Sequence, residues 1–484
     1  MECVKSGGIL SKKKIVSFVS LILSDCITIL ASFILAYLIR SEVLPLINPS
    51  LLERPVFFDV YIRRFYMLAV WIVVFLYERL YTRRYSFWDE TRYLFKSTTI
   101  AFSFTMIGVF ITQEFLLFSR FIILLAWLFS LLLLPVSRYL VKTLLIGLRI
   151  WEKKVMIVCS GAGCASLIEA IKHNKTLGYR IIGVLSDSRD KIGSTISGIK
   201  VMGHLEELAD WKERTGFEDI IVTLPDLPGD RLIELLKKWD QNSETIRYVP
   251  RTGDLITAGV EIENIGRHLA LSVRKNLEKP WNILIKGIFE YLLAVLMTVF
   301  FLPFFALIAA AIKLDSKGPV FFIQQRYGKK GRRFRLIKFR SMFSDADARL
   351  QRYLENHPEK REEWLEYKKL RSRDPRVTRV GRLLRKYSLD ELPQLFNVLK
   401  REMNLVGPRP YIMEELKEVE SMKSILLRVK PGITGLWQIS GRSKLMFKER
   451  LNLDEYYLRN WSLWLDIVIL IKTVRVFLSG EGAY

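Results

Sequence analysis

The sequence has little cysteine and little histidine. Each occurs four times in 484 residues, and neither shows the spacing of a metal-ligand set, so a zinc centre is not expected. The cysteines are Cys3, Cys26, Cys159 and Cys164, and only the last two lie close together, beside a predicted strand end. We interpret all four as reduced thiols of a cytosol-facing protein, not as a disulfide framework.

Acidic residues are also scarce relative to basic ones. There are 50 Asp and Glu against 74 Lys and Arg, and the formal net charge is +24. Such an excess implies an anionic partner, which could be nucleic acid, anionic lipid or a phosphorylated substrate. The charge is spread over the flanks of apolar segments and one strand, and no RRM, helix-turn-helix or zinc-finger pattern is present, so no nucleic-acid partner is expected.

Hydrophobic residues, in contrast, make up 50% of the chain. Ile15–Ile39 is a nearly uninterrupted apolar run, long enough to span a bilayer. It is too long for a cleaved signal peptide and lacks a small-residue cleavage site. Further spans are predicted at about Phe65–Tyr81, Ala101–Phe115 (with Phe95 as an alternative start) and Phe118–Val136. Residues 1–150 are therefore predicted to form a four-helix transmembrane domain.

Basic residues set the orientation of these four spans. They lie before the first span, between the second and the third, and after the fourth, which places both ends of the block in the cytoplasm. An ionisable residue inside a span, here Asp25, is a functional candidate. We favour the simpler interpretation that Asp25 makes a buried hydrogen bond between helices.

Residues 151–278 alternate strands with helices, which predicts a Rossmann-like α/β domain. The predicted strands are Lys154–Cys159, Tyr179–Ser186, Asp219–Leu224 and Thr245–Val249. A helix, Arg231–Trp239, is predicted between the last two strands. The turn Gly161-x-Gly163-x-x-Ser166 resembles a dinucleotide-binding fingerprint, with Asp187 where a ribose-binding acid could lie. Because Ser166 replaces the third glycine, we favour a structural or regulatory role and assign no cofactor site here.

A fifth apolar segment lies at about 283–312. Ile288–Ile312 is long enough to cross a membrane, but basic residues flank it on both sides, and Pro303 should break a helix in its middle. A re-entrant helix that enters and leaves on the cytoplasmic side satisfies both observations. We prefer it to a fifth crossing.

The C-terminal block contains several cations on short elements rich in Gly and Pro. Lys338, Arg340, Arg385, Arg409 and Arg442 are predicted to bind substrate phosphates, because arginine forks match phosphate oxygens. The alternative for the basic stretch is electrostatic attachment to anionic lipid. The distal Lys329, Lys330, Arg332 and Arg333 suit that second role.

Two adjacent carboxylates, Asp390 and Glu391, lie just ahead of Pro393. A helix is predicted from about Asp390 to Lys400, which would place both acids at its positive end. Ser388-x-x-Glu391 is also a capping box, and taken alone these residues favour a capping role. Amid the cations, the pair suits phosphoryl transfer with Mg²⁺, in which one acid holds the metal and the other attacks phosphorus.

Residues from about 285 to the C-terminus resemble the bacterial sugar transferases of the monotopic polyprenol-phosphate phosphoglycosyl transferase superfamily. The motifs that carry the resemblance are Gly318-Pro-Val-Phe-Phe, Gln324-Gln-Arg-Tyr-Gly, Lys338-Phe-Arg-Ser-Met, Ser388-Leu-Asp-Glu-Leu-Pro-Gln-Leu-Phe-Asn-Val, Leu405-Val-Gly-Pro-Arg-Pro and Lys430-Pro-Gly-Ile-Thr-Gly-Leu-Trp-Gln-Ile-Ser-Gly-Arg. The chain departs from the family pattern at Lys286-Gly287, Glu290 and Asn404. These departures concern membrane entry and leave the acidic pair intact.

The resemblance implies a catalytic domain at 279–484 with a re-entrant membrane helix, in a multi-pass protein of the bacterial inner membrane with its catalytic domain in the cytoplasm. It implies that Asp390 attacks the sugar-bearing phosphorus of a UDP-hexose and releases UMP. Undecaprenyl phosphate then accepts the phosphosugar, here expected to be galactose 1-phosphate, to start an O-antigen, capsule or exopolysaccharide. Glu391 is expected to bind Mg²⁺, and Lys338, Arg385 and Arg409 match phosphate-binding positions.

A second hypothesis from another class is a membrane scaffold or nucleotide-sensing regulator, whose middle domain binds a dinucleotide without turnover. The sequence leaves open the sugar, among galactose, glucose and an N-acetylated hexosamine. It also leaves open any ligand of the middle domain and the oligomeric state, for which a homodimer is one option.

Overall fold

The computed structural model describes residues 3–47, 66–111, 119–161, 163–224, 227–240, 244–249, 260–265, 268–273, 276–357, 361, 374–412, 415, 420–441 and 446–479. The chain divides into two compact units, Met1–Arg251 and Thr252–Tyr484. The first unit holds the N-terminal helices and an α/β domain. The second holds a long apolar helix and the motifs of the C-terminal block.

The N-terminal helices are α1 (Cys3–Leu38), α2 (Tyr66–Tyr77), α3 (Phe87–Ile111) and α4 (Arg120–Gly147). A π-helical turn, Ile39–Val43, and a short helix, Leu44–Ile47, follow α1. Of the described helices, α1 with its extension, α3, α4 and the later Pro280–Asp315 are long and apolar enough to cross a membrane, whereas α2 is shorter. The third helix starts earlier than predicted and the fourth ends later, because both continue past the apolar run into charged turns.

The outer face of α1 is apolar. Ile15, Val19, Leu23 and Ile27 recur every fourth residue and are all more than half exposed, so they form one stripe along the helix. A contiguous stripe of this kind suits lipid rather than water. The stripe supports the prediction that α1 lies in a membrane.

Charged side chains meet in the interior of the helical block. Arg138 on α4 pairs with Asp25 on α1, with Nη2–Oδ2 2.5 Å and Nε–Oδ1 3.0 Å. Glu90 on α3 accepts from Arg138 at 3.0 Å and from Lys142 at 2.8 Å. All four side chains are at most 5% exposed. The prediction that Asp25 bonds between helices is confirmed.

The α/β domain has six strands in the order β3-β4-β2-β1-β5-β6. Its elements are β1 (Lys153–Cys159), α5 (Gly163–His173), β2 (Tyr179–Ser186), β3 (Thr195–Ile196), β4 (Ile199–His204), α6 (Leu208–Thr215), β5 (Asp219–Thr223), α7 (Gly229–Asp240) and β6 (Thr245–Tyr248). All pairings are parallel except that of β3 with β4. The four predicted strands are present within one residue at either end.

The two cysteines at the first turn of this domain form a disulfide. Cys159 ends β1 and Cys164 lies in the first turn of α5, with their Cα atoms 5.6 Å apart, a separation that permits a bond. The prediction of reduced thiols is wrong for this pair, because the tight β1–α5 turn folds the chain back on itself. Cys26 is a free cysteine.

The second unit begins with the hairpin β7 (Val260–Ile265) and β8 (His268–Val273), followed by α8 (Pro280–Asp315). This helix is continuous over 36 residues, about 54 Å at 1.5 Å per residue. Pro303 lies within it, so the helix continues past this proline, contrary to the expectation that the proline would break it. A proline inside a helix can bend it without ending it.

The remaining elements form the body around the motifs. They are β9 (Phe321–Tyr327), β10 (Arg333–Phe339), α9 (Ala346–Asn356), α10 (Arg379–Lys386), α11 (Gln394–Leu399), β11 (Asn404–Val406), α12 (Glu420–Leu426), β12 (Gly432–Thr434), α13 (Leu436–Ser440), α14 (Phe447–Asn460) and α15 (Leu463–Ser479). Strands β9 and β10 are antiparallel, and β11 and β12 are parallel. Phe305 of α8 packs on Phe339 and Phe396, with ring centroids 5.4 Å apart in each pair. This aromatic cluster joins the apolar helix to β10 and α11.

Candidate functional site

The acidic pair lies in a tight turn rather than in a long helix. Ser388 adopts the left-handed conformation (φ 49°, ψ 26°), Leu389–Glu391 forms a 3₁₀ turn, and the α-helix begins only at Gln394. The prediction of a helix from Asp390 to Lys400 is therefore wrong at its start, because Pro393 occupies the cap position. The capping box is not formed, since the Ser388 side chain makes no cap bond to this turn.

Strand β10 and helix α11 are locked together next to this turn. Asn397, which is fully buried, accepts from the Ile337 N–H at 3.1 Å and donates to the Arg335 carbonyl at 2.7 Å. These bonds fix the register between the strand and the helix. The next residue of the strand, Lys338, thereby reaches the acidic turn, and its Nζ lies 2.6 Å from Glu391 Oε1.

Asp390 lies in a half-buried position between cations and a second acid. Burial, and then the charge of Glu391, raise the pKa of Asp390 to about 6. Lys338 and Arg385 act in the opposite direction, but they do not fully offset the cost of burying the charge. A carboxylate with a raised pKa that is still ionised at neutral pH is a stronger nucleophile than a solvated one.

Arg385 approaches the acidic pair from helix α10. Its Nε donates to Ser341 Oγ over 2.9 Å, and burial lowers the pKa of its guanidinium, with the charges of Asp390 and Asp374 acting against this. The Thr378 hydroxyl caps the helix by accepting from the Gly381 N–H at 2.9 Å. Residues on three elements thus surround Asp390.

Arg340 has a different environment from the other predicted cations. It is buried, and its guanidinium donates to the Lys317 carbonyl at 2.9 Å and to the Ser316 carbonyl at 2.7 Å. These bonds tie the end of β10 to the C-terminal end of α8. We therefore favour a structural role for Arg340, which would hold α8 against the site, and not direct binding of a phosphate. Arg442 lies outside the described residues.

Arg409 is held on the loop that follows β11. Its backbone N–H lies 3.4 Å from Asp454 Oδ2, which also accepts from the Tyr411 hydroxyl at 2.8 Å. Burial raises the pKa of Asp454 to about 7. No role was predicted for Asp454 from the sequence. A signal was available, because Asp454, Tyr457 and Leu458 recur at helical spacing and place the carboxyl on the buried face of α14.

A buried network of charged side chains contacts β11, the strand that leads into the Arg409 loop. Lys286 on α8 donates to Glu290 at 2.6 Å and to Asp466 at 2.8 Å, and Glu290 accepts from the Val406 N–H at 3.0 Å. Tyr457 bonds both Asp466 and the Val406 carbonyl. Lys286 and Glu290, where the chain departs from the family pattern, are therefore paired with each other. Together they anchor the strand that leads into Arg409.

A small pocket opens beside Glu391 and was not predicted. Besides Ser388 and Glu391 it is lined by Ile433, Thr434, Gln438, Ile439, Thr473, Val476 and Phe477. The Thr434 and Thr473 hydroxyls are 2.8 Å apart. No strong sequence signal connects these residues, because the pocket is formed where β12, α13 and α15 meet.

The acidic pair is compatible with Mg²⁺ only as part of a shared site. The described residues contain no group of three or more His, Cys, Asp or Glu side chains that could hold a metal by themselves. Mg²⁺ commonly takes one or two carboxylates and completes its shell with water and substrate phosphates. Glu391 and Asp390 have the donor chemistry for that arrangement.

Comparisons with known proteins give two family matches and several relatives. The model described as "Bacterial sugar transferase" matches residues 281–480, and one described as "CoA-binding domain" matches 67–250. The undecaprenyl-phosphate galactose phosphotransferase of Salmonella typhimurium is 34% identical over 87% of this chain and 88% of its own. The glucose-1-phosphate transferase of Xanthomonas campestris, which acts on UDP-glucose and undecaprenyl phosphate, is 32% identical over 65% of this chain and 64% of its own. The exopolysaccharide production protein ExoY of Sinorhizobium fredii is 41% identical over 43% of this chain and 91% of its own.

Proposed function

This chain belongs to the bacterial sugar transferase family, and we propose that it transfers a hexose 1-phosphate from a UDP-hexose to undecaprenyl phosphate. The similar proteins of known name act on undecaprenyl phosphate with galactose or glucose. We propose galactose for this chain, with glucose as the alternative. The product would start a repeat unit of a surface polysaccharide.

The observation that carries this proposal is the setting of Asp390. It lies beside Glu391, which pairs with Lys338 at 2.6 Å, and within the electrostatic influence of Arg385. Its raised pKa leaves it mostly ionised at neutral pH. One nucleophilic carboxylate among fixed cations suits transfer of a charged phosphoryl group, whose charge the cations neutralise.

In the first step we propose that Asp390 Oδ forms a bond to the sugar-bearing phosphorus. The bond from that phosphorus to the bridging oxygen breaks, and UMP leaves with the electron pair. In the second step the phosphate of undecaprenyl phosphate attacks the same phosphorus, and the bond to Asp390 breaks. The carboxylate is regenerated, and the lipid carries a diphosphate-linked hexose.

Around these steps the other residues bind and orient charge. Lys338 and Arg385 would bind phosphate oxygens next to Asp390, and Arg409 would bind the phosphates farther along the donor. Glu391 would hold Mg²⁺ when the ion is bound, and the ion supplies neutralisation of developing negative charge. The bond from Lys338 to Glu391 keeps that carboxylate turned toward the site.

The lipid acceptor would reach this site along α8. Two sets of contacts fix the C-terminal end of α8 to α10 and to the end of β10. Asp315 Oδ2 accepts from the Val380 N–H at 2.9 Å, and Arg340 donates to the carbonyls of Ser316 and Lys317. We propose that α8 bends at Pro303 and is therefore re-entrant, with both ends on the cytoplasmic side of the bacterial inner membrane. The basic residues at both ends support this orientation.

For the middle domain we propose a Rossmann-like fold. β2 and β4 lie on one side of β1, and β5 and β6 on the other, which is the arrangement of a doubly wound sheet. The disulfide spans the glycine turn of this domain. We assign no ligand to it.

Asp390→Asn tests the function. The full chain, purified in a bilayer mimic with undecaprenyl phosphate and Mg²⁺, should release UMP from a UDP-hexose. The variant should lose roughly 10³-fold or more of that activity, because the nucleophile is gone. Asp345→Asn is the matched control, because Asp345 is nearly half exposed and pairs with Arg349 one helical turn away. Full activity in Asp390→Asn would remove the nucleophile from the mechanism.

A further inference from the structure

Two arginines lie close to one indole ring beside the Arg409 loop. The guanidinium carbon of Arg409 lies over the Trp437 ring, 5.8 Å from its centroid, and that of Arg450 lies over the same ring at 5.2 Å. Arg450 comes from helix α14, whereas Trp437 comes from α13. Three separate segments of the chain therefore meet at this ring.

The two guanidinium groups are close enough to repel each other. Burial lowers the pKa of Arg450, and the charge of Arg409 lowers it further, while Tyr411 and Glu415 act against both effects. Bringing like charges together in a partly buried place costs free energy unless an anion lies between or beside them. Such a pair of arginine forks matches the oxygens of a phosphate.

Trp437 adds an unused donor to the cluster. Its side chain is 8% exposed, and its Nε1–H has no hydrogen-bond partner among the described residues. A buried donor normally finds an acceptor, because losing its bond to water is costly. A phosphate oxygen supplied by a ligand would satisfy it.

Glu415 marks where that anion would bind. Its carboxylate lies 3.4 Å from Arg409 Nη2 and 3.6 Å from Arg326 Nη1. These separations exceed those of tight charge-assisted bonds, which are about 2.7–2.9 Å. Glu415 also accepts from the Ile412 N–H at 3.1 Å, so its carboxylate can give up the longer contact with Arg409 and keep a partner when a more highly charged group arrives.

We propose that Arg450 and the Trp437 indole N–H complete, together with Arg409, a binding site for one phosphate group of a substrate. The inference rests on the proposed function for the identity of the substrate, since the phosphate belongs either to the nucleotide part of the UDP-hexose or to the polyprenyl phosphate. Arg450 binds through its planar fork, and Trp437 donates through Nε1. The ring also keeps the two arginines at a fixed separation.

The test measures kinetics and ligand-induced stabilisation on the full chain in a bilayer mimic. Arg450→Gln should raise the KM for one substrate by roughly tenfold to a hundredfold, the effect of a lost bond to a charged group, with a smaller change in kcat. A rise for the UDP-hexose, with weaker product inhibition by UMP, assigns the phosphate to the nucleotide. A rise for undecaprenyl phosphate assigns it to the lipid. Arg450→Lys should recover part of the loss, because it restores the charge without the fork.

Two further variants separate binding from folding. Arg459 lies on the same helix, away from the Trp437 ring contacts, and pairs with Glu455, so Arg459→Gln should leave both KM values unchanged. Trp437→Phe keeps an aromatic ring and removes the donor, so it should weaken binding in the same direction as Arg450→Gln.

A thermal-shift measurement needs no turnover. UMP or inorganic phosphate should raise the Tm of the wild-type chain more than that of Arg450→Gln. If UMP or inorganic phosphate raises the Tm of the wild-type chain more than that of Arg450→Gln, but the wild-type chain releases no UMP, the phosphate site is supported and the proposed function fails. If the wild-type chain turns over while Arg450→Gln keeps both KM values and the same Tm shifts, the inference is overturned.

Discussion

The ammonium group of Lys338 donates to the carboxylate of Glu391 across 2.6 Å. Their side chains are 26% and 32% exposed, so the pair faces an open site rather than a sealed core. The two residues are far apart in the sequence, and Asn397 brings their elements together. This contact orients one acid of the pair, beside Asp390, the proposed nucleophile.

Lys338→Met should lower kcat by roughly 10²-fold, because it removes a cation that would neutralise charge in the transition state. It also removes the contact of Lys338 with the Glu391 carboxylate. UMP release under saturating substrate measures the effect, and Lys400→Met is the control, because Lys400 is exposed at the end of α11. Equal losses in the two variants would contradict a specific role for Lys338.

Asp390→Asn should stabilise the fold increasingly as pH rises. The pKa of Asp390 is about 6 in the fold, against a model-compound value of 3.8. The folded chain therefore binds this proton more tightly than the unfolded chain, and the resulting stabilisation is complete below about pH 4 and lost as pH rises through 6. Asn imitates the protonated acid, so the variant should gain about 1–3 kcal/mol relative to wild type between pH 4 and pH 8.

Thermal unfolding of both proteins at pH 4.5 and pH 8 would measure this change. The difference in Tm between variant and wild type should be larger at pH 8. A difference independent of pH would contradict the raised pKa.

Asp25→Asn should destabilise the N-terminal helices by about 3 kcal/mol, because Arg138 is almost fully buried and would lose its closest charged partner. Unfolding in detergent, followed by circular dichroism, reports the change. Lys96→Gln breaks the Glu78–Lys96 pair, in which Lys96 is 56% exposed, and should cost less than about 1 kcal/mol. Similar losses in both variants would argue against a special role for the buried network.

Gly381→Ala should destabilise the second unit and lower activity together. A Cβ at Gly381 would clash with the backbone of Ser341, and the resulting overpacking typically costs about 1–3 kcal/mol. The clash would also shift α10, which carries Arg385 to the site. Gly287→Ala meets no atom within 4 Å and should be neutral or stabilising by up to about 1 kcal/mol. A fully active and stable Gly381→Ala protein would contradict the tight packing of α10.

Local patterns in the sequence account for much of the fold. The strands β1, β2, β5 and β6 and the apolar helices were predicted from local patterns and long hydrophobic runs, which depend on neighbouring residues. Strands β3 and β4 were not predicted. The Asp25 bond was predicted because a charge inside an apolar helix must find a partner. Where predictions failed, the cause was mostly geometric: Pro303 is tolerated inside α8, and the turn after β1 brings Cys159 and Cys164 within bonding distance.

For the site, residue types and motifs were enough to predict the chemistry, whereas the arrangement of the side chains depends on the fold. The Asp390–Glu391 pair and the cations around it were identified from residue type and motif. Four features were visible only in the fold. Helix α11 starts late, and carbonyl groups bind Arg340. Asp454 is buried, and Arg409 and Arg450 meet at Trp437. These features join residues that are far apart in the sequence. Periodicity indicates which face of a helix or strand a residue occupies, but the packing of distant elements determines which faces come into contact.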